Sequence, residues 1–205
     1  MSIVQSGVRF CARLAAVAVL SSLGACASFY VDNQVKDLAP AERAAVASPK
    51  PAQLLFDFQT KGVSNTTARD SVKDIVVKAV NDSGAFSVVS PDPQPNGAVL
   101  QVTINNVPLT DDAFAKGFVT GFTFGLVGST VGDGYICTVD YLGGSGGQKI
   151  TKSTRDAIYT SLGATASTPP HADKAKGITE AVTLMAHKCV GNALDALVRD
   201  PGFGQ

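Results

Sequence analysis

The sequence has no excess of charge of either sign. Its 205 residues include 17 basic and 17 acidic side chains. Removal of a leader that carries Arg9 and Arg13 would leave 15 basic residues against the same 17 acidic ones, a net charge of −2. A nucleic-acid-binding domain needs a basic stripe or patch on its surface. The balance of charge therefore argues against nucleic-acid binding.

Histidine is scarce, and recognised catalytic motifs are missing. His171 and His187 stand 16 residues apart, with no cysteine or acidic partner at a spacing typical of metal ligands. The sequence has no Gly-x-Ser-x-Gly elbow and no P-loop. The adjacent Asp111 and Asp112 are more typical of a solvated turn than of a catalytic pair. We therefore predict no catalytic residues, no metal site and no cofactor.

The chain also lacks a hydrophobic run long enough to cross a membrane as a helix. Its apolar run near the start, residues 14–25, has 12 residues, whereas a spanning helix needs about 20. Arg9 and Arg13 precede this run, and no acidic residue occurs before Asp32. A positive segment, a short apolar segment and small residues, in that order, are typical of a secretory signal peptide. We assign residues 1–25 to such a signal.

The end of this segment reads Leu23-Gly24-Ala25-Cys26, which resembles the lipobox of bacterial lipoproteins. The resemblance implies a diacylglyceryl thioether on Cys26 and an acyl chain, such as palmitate, on its freed amine. Two buried chains suffice for stable anchoring, at about 0.8 kcal/mol per CH₂ group. Ala27, where an Asp would suggest inner-membrane retention, implies the periplasmic face of the outer membrane. The alternative is an ordinary signal cleaved nearby, which leaves Cys26 unmodified.

Residues 26–52 are predicted to form the lipidated N-terminus and a tether. This stretch mixes alanine, proline and charged residues without a sustained apolar face, and spacers that contain proline stay extended. Residues 53–205 then supply roughly 150 residues, which is enough for a single periplasmic domain with its own core.

The hydrophobic pattern of this domain predicts an α+β fold. Alternating apolar residues indicate about five strands, and steps of three and four indicate two amphipathic helices packed on one face of a mixed sheet. The order is β-α-β-β-β-β-α, with strands at 53–60, 85–89, 98–107, 135–142 and 149–159, a first helix capped by Ser64 or Asn65 and ending before Gly84, and a second helix at 178–199.

This order resembles the N-terminal domain of the translocation protein TolB and the CsgG-like envelope lipoproteins. The resemblance spans residues 53–199 and depends on the strand at 54–58, the helix end at 79–84 and the segment 86–89. It implies a protein of the bacterial cell envelope.

Residues 117–132 form an uncharged segment rich in glycine and phenylalanine, which we predict to contact a membrane or a partner. As a helix, it would place glycines on one face, as small-xxx-small motifs do in membranes. As an extended hairpin, it would point its large apolar side chains one way, and it could face lipid only with its backbone hydrogen bonds closed. Two alternatives stay open, namely that it completes the domain's own core or contributes to a multi-subunit pore. The predicted contact residues are Gly117, Phe118, Gly121, Phe122, Phe124, Gly125 and Leu126.

The four cysteines predict one disulfide. Cys11 leaves with the signal and Cys26 is the lipidation site, so Cys137 and Cys189 remain as a pair in an oxidising compartment. Cys137 lies on the inward face of its strand, and Cys189 lies on the apolar stripe of the last helix. A bridge between them would contribute roughly 4 kcal/mol. The alternative is two separate buried thiols.

Together these features predict a lipid-anchored periplasmic protein that works by binding, as an accessory part of an envelope assembly. Its partners would be the membrane, through the lipid on Cys26, and an envelope protein that the sequence does not identify. Whether the chain forms homo-oligomers is left open. One alternative is a subunit of an oligomeric pore or secretion channel in the outer membrane. A second is a hydrolase whose site consists of unremarkable loop residues, in a deep pocket with a strongly perturbed acid or base.

Overall fold

The computed structural model describes residues 27–109, 130–144, 147–163 and 168–204 of the chain. This part contains two α-helices, eight β-strands and a short 3₁₀ helix at Pro40–Glu42. In chain order, the strands and helices are β1 (Ala27–Asp32), β2 (Ala52–Thr60), β3 (Val63–Ser64), α1 (Thr66–Asp82), β4 (Val89–Ser90), β5 (Ala98–Pro108), β6 (Thr130–Leu142), β7 (Ile150–Leu162), β8 (Ala172–Ala175) and α2 (Ile178–Val198).

The strands form one mixed sheet in the order β3-β2-β5-β6-β7-β1-β8, with β4 beside β2. Strand β2 runs parallel to β4 and β5, and the other pairs are antiparallel. Parallel neighbours need a crossover connection, which α1 provides between β2 and β5. The predicted α+β class is therefore correct, but the prediction of about five strands is wrong, because the sheet has eight.

The additional strands explain this difference. Strand β3 has two residues, which is too short to show an alternating pattern. The strand predicted at 85–89 is present only as β4, Val89–Ser90. Strand β8 has four residues, of which Asp173 and Lys174 are charged. Strand β1 lies in the stretch assigned to the tether.

The predicted tether differs most from the structure. Residues 27–32 form β1, which pairs with β7 on one side and β8 on the other, and Tyr30, Val31 and Asp32 are buried. The residues that follow pack against the domain as well. The backbone N–H of Ala44 donates to Asp195 on α2 at 2.7 Å, and the Arg43 guanidinium donates to the carbonyl of Asp82 at 2.6 Å. The folded unit therefore includes residues 27–32 and does not start near residue 53.

Both helices pack on one face of the sheet, as predicted. The buried residues of α1 include Val72, Val76, Ala79 and Val80, and Asn65 caps its start by accepting a 3.0 Å hydrogen bond from the N–H of Ala68. Helix α2 lies against α1, β6, β7 and β1. Because it has neighbours on several sides, its buried surface is wider than one stripe. Its buried residues are Ala181, Met185, Ala186, Lys188, Cys189, Val190, Gly191, Ala193, Leu194 and Leu197.

A smaller apolar cluster is separate from this main core. It consists of Tyr30, Ala157 and Tyr159, with Leu109 and Ala172 packed against it. Tyr30 alternates with Val31 of the main core on β1, and Tyr159 alternates with Ile158 on β7. Since successive strand residues point to opposite faces, this cluster lies on the face away from the helices.

Candidate functional site

Cys137 of β6 and Cys189 of α2 form a disulfide, with their Cα atoms 5.9 Å apart. This is the pairing that the cysteine count and the two apolar faces predict. Both residues are fully buried. The hydroxyl of Thr154 on β7 donates to the carbonyl of Cys189 at 2.6 Å. The bridge and this hydrogen bond hold the middle of α2 against the centre of the sheet.

Directly before Cys189 in the chain, Lys188 belongs to a buried group of charges that joins α2 to β1 and β7. The Lys188 ammonium lies 3.1 Å from Oδ2 of Asp156 and donates to the backbone carbonyl of Asp32. All three residues are buried, with exposed fractions of 7% for Lys188 and 1% for each aspartate. The contact between Lys188 and Asp156 is therefore a buried ion pair.

We call Asp32, Asp156 and Lys188 the buried charge cluster. Burial has the largest effect on the pKa values of its two carboxyl groups. It raises the pKa of Asp156 to about 7, although Lys188 and the Ala157 N–H act in the opposite direction. Burial also raises the pKa of Asp32. Burial and the two carboxylates together raise the pKa of Tyr159. One cation thus lies beside two buried acids, an arrangement in which a carboxyl group can stay protonated near neutral pH.

Sequence reasoning did not identify the buried charge cluster. One local signal was available for Lys188, which lies three residues after Met185 and directly before Cys189, both on the apolar stripe of α2. A lysine in such a position needs a buried partner. That partner is Asp156, 32 residues earlier on a strand, and no local pattern connects the two.

Two cavities lie elsewhere on the described surface. The larger, about 570 Å³, is lined by residues that include Tyr141, Lys149, Lys152 and Asp200. Its charges are paired, with Lys152 at 2.7 Å from Asp200 and Lys149 at 3.1 Å from Asp140. The second, about 320 Å³, lies between β2 and α1. No residue of the buried charge cluster lines either of these two cavities. The carboxyl group of Asp156, whose pKa is raised, therefore does not face them.

His187 has partners that its sequence position did not suggest. Its Nδ1 lies 3.4 Å from a carboxylate oxygen of Asp37, and its Nε2 lies 3.4 Å from one of Asp82. The side chain therefore bridges α2, α1 and the segment after β1. Within the described ranges, no three histidine, cysteine or acidic residues are grouped to hold a metal ion. Among the described helices, none is long and apolar enough to cross a membrane.

The start of β1 lies at the same end of the sheet as the start of β6 and the end of β7. Ala27 is opposite Leu162, and Ser161 is opposite both Ser28 of β1 and Thr130 of β6. We call this end, marked by Ala27, Thr130 and Leu162, the proximal end. Adjacent strands are about 4.8 Å apart, so β1 and β6 begin roughly 10 Å from each other.

Strands β5 and β6 flank the predicted contact segment in the chain. Cys26 and the seven predicted contact residues, which fall between positions 117 and 126, lie outside the described residues. Strand β5 reaches Pro108, opposite Asp133 near the start of β6, so β5 ends and β6 begins at the proximal end. Residues 130–132, the last three of the uncharged segment, belong to β6 rather than to a loop.

Comparison with known proteins gives no family. No family model matches the chain, and no curated protein matches it. Among solved structures, the chain is similar to the PelC dodecamer from Paraburkholderia phytofirmans, with 13% identity and a TM-score of 0.36 over 83% of this chain and 96% of that one. An uncharacterized protein gives 12% identity and a TM-score of 0.33 over 72% and 87% of the two chains. Values this low do not transfer a function.

Proposed function

We propose that this chain is a lipid-anchored accessory protein of the bacterial envelope, held at the periplasmic face of the outer membrane by a lipid on Cys26. It acts by binding protein or membrane rather than by catalysis. The proposal starts from the signal segment, in which a positive region, a short apolar run and Leu23-Gly24-Ala25-Cys26 follow one another.

The observation that carries the proposal is that Ala27, the residue after Cys26, already belongs to strand β1. Cleavage before Cys26 would remove no residue of the sheet as far as it is described. Cleavage a few residues later would remove the strand that contributes Tyr30 and Val31, which are 6% and 3% exposed. The cleavage point that the lipobox indicates thus leaves every described strand intact.

The disulfide supports a location outside the cytosol. Bridges such as Cys137–Cys189 form and persist in oxidising compartments, of which the bacterial periplasm is one. A lipidated Cys26 would also be unable to compete for either thiol while the domain folds.

Mass spectrometry of the mature protein, expressed with its leader in a Gram-negative host, tests the proposal. We expect a chain that starts at residue 26 and carries the mass of a diacylglyceryl group and an acyl chain, and that partitions into detergent. Cys26→Ala should abolish the lipid. The matched control is Cys11→Ala, which changes a cysteine of the same leader and should leave lipidation intact. A wild-type protein with a bare N-terminus would overturn the proposal.

A further inference from the structure

We propose that the proximal end of the sheet lies directly against the lipid bilayer, as an extension of the lipid anchor proposed above. The surface that we assign to this contact consists of Ala27, Val131, Leu162 and Ile178. Its occupant is the lipid surface itself, and the opposite end of the sheet points away from the membrane.

The first reason is that no spacer separates the anchor from the sheet. Adjacent Cα atoms are about 3.8 Å apart, so a lipid on Cys26 would be attached one residue from Ala27, which pairs with Leu162. A flexible tether of some 25 residues would instead have spanned roughly 25–30 Å. The proline-containing segment that was expected to provide this reach comes after β1. It therefore cannot hold the proximal end away from the bilayer.

The second reason is that large apolar side chains are exposed at this end. Val131, Leu162 and Ile178 are 47%, 51% and 49% exposed. Val131 pairs with Thr160, two residues before Leu162 on β7, so both lie on the same face of the sheet.

Ile178 belongs to the same end of the molecule. Strand β8 ends at Ala175, which lies opposite Phe29, and α2 begins three residues later. Because α2 packs on the face that carries Val131 and Leu162, the three side chains lie on one side of the proximal end. Apolar groups in this position can enter the boundary between headgroups and acyl chains.

The third reason is an asymmetry of charge between the two ends. The residues nearest the proximal end on the neighbouring strands β1, β6 and β7, which are 27–30, 130–132 and 159–162, include no charged side chain. The opposite end carries the pairs Lys149–Asp140 and Lys152–Asp200. Beside the proximal end, Lys176 is 91% exposed, although it lies 3.6 Å from Glu180. A long, exposed lysine at this level can reach anionic headgroups while apolar neighbours face the acyl chains.

The sequence contains no tryptophan, so a single introduced tryptophan reports on its own surroundings without background. Leu162→Trp places the reporter at the last residue of β7. Leu142→Trp is the matched control, because Leu142 is the last residue of β6, is 41% exposed and lies at the opposite end of the antiparallel pair. Strand β6 has 13 residues, which separates the two reporters by about 40 Å.

The lipidated, mature form of each variant is reconstituted into vesicles of phosphatidylethanolamine and phosphatidylglycerol, with and without brominated acyl chains. We expect several-fold stronger quenching of the tryptophan at position 162 than of that at position 142. Val131→Trp should behave as Leu162→Trp does, and it replaces that variant if the latter fails to give the circular dichroism spectrum of the wild-type protein.

The outcomes separate the orientation from the anchor. If both variants co-sediment with the vesicles and both escape quenching, or if only position 142 is quenched, the orientation is overturned while the anchor stands. If correctly folded variants neither carry lipid by mass spectrometry nor co-sediment, the anchor and the orientation fail together.

Discussion

Replacement of Asp156 by asparagine should change how the stability of the protein depends on pH. Burial raises the pKa of this carboxyl from 3.8 to about 7 in the folded protein, so the folded state holds the proton more tightly than the unfolded state does. The stability that this proton contributes is fully present below 3.8 and is lost as the pH rises through about 7. Asparagine has nearly the same shape and no proton to lose.

The expected magnitude follows from these pKa values. Between the two pKa values, the free energy of unfolding of the wild-type protein falls by about 1.4 kcal/mol for each pH unit. In a measurement from pH 5 to pH 8, this fall continues for about two pH units, until the pH reaches the folded-state pKa. Relative to the wild-type protein, Asp156→Asn should therefore gain about 3 kcal/mol in free energy of unfolding over that range. Lys188 lowers the pKa of Asp156, so Lys188→Met should extend the loss of stability to higher pH.

Urea unfolding of the protein with its disulfide intact, at several pH values, measures this change. The control is Asp70→Asn, which removes an exposed carboxylate that pairs with Arg69 on the surface of α1 and should contribute little to stability. A difference between Asp156→Asn and wild type that stays constant from acidic to mildly basic pH would refute this account of the buried charge cluster.

Three further changes test other parts of the structure. Substitution of both Cys137 and Cys189 by alanine should lower the free energy of unfolding by roughly 4 kcal/mol, a loss that reduction of the wild-type protein should reproduce in urea. Asn65→Ala removes the N-cap of α1 and should lower the melting temperature through a loss of about 1 kcal/mol. Deletion of residues 117–129, which stops before the first residue of β6, should remove partner proteins recovered by affinity purification from membranes. Unchanged partners and oligomeric state would indicate that this segment completes the core.

The parts of the fold that the sequence predicts are those set by local periodicity. Leu100, Val102 and Ile104 alternate on β5 and are all fully buried, and Met185, Cys189 and Leu197 are buried on α2. On α1, Val76 is fully buried, whereas its neighbour Ile75 is only partly buried. A step of one residue turns a helix by about 100°, so tertiary packing decides between such neighbours.

The parts that the sequence does not predict depend on distant partners. Strand β1 is six residues long, and its partners β7 and β8 begin more than one hundred residues later. Its only local signal is the aromatic and β-branched run Phe29-Tyr30-Val31, which is too short to predict a strand by itself. The buried charge cluster is unpredicted for the same reason. Asp32, Asp156 and Lys188 belong to three elements that meet only in the folded protein.

Strand β1 links the proposed anchor to the interior of the domain. It is hydrogen-bonded on both sides, to β7 and to β8, and its last residue, Asp32, accepts a hydrogen bond from Lys188 of α2. Helix α2 is in turn bonded covalently to β6 through Cys189. A force on a lipid at Cys26 would therefore act on a strand inside the sheet, and it could not release β1 without breaking two ladders of hydrogen bonds and exposing a buried lysine. An edge strand or a loop in this position would resist much less, because it would have one ladder or none.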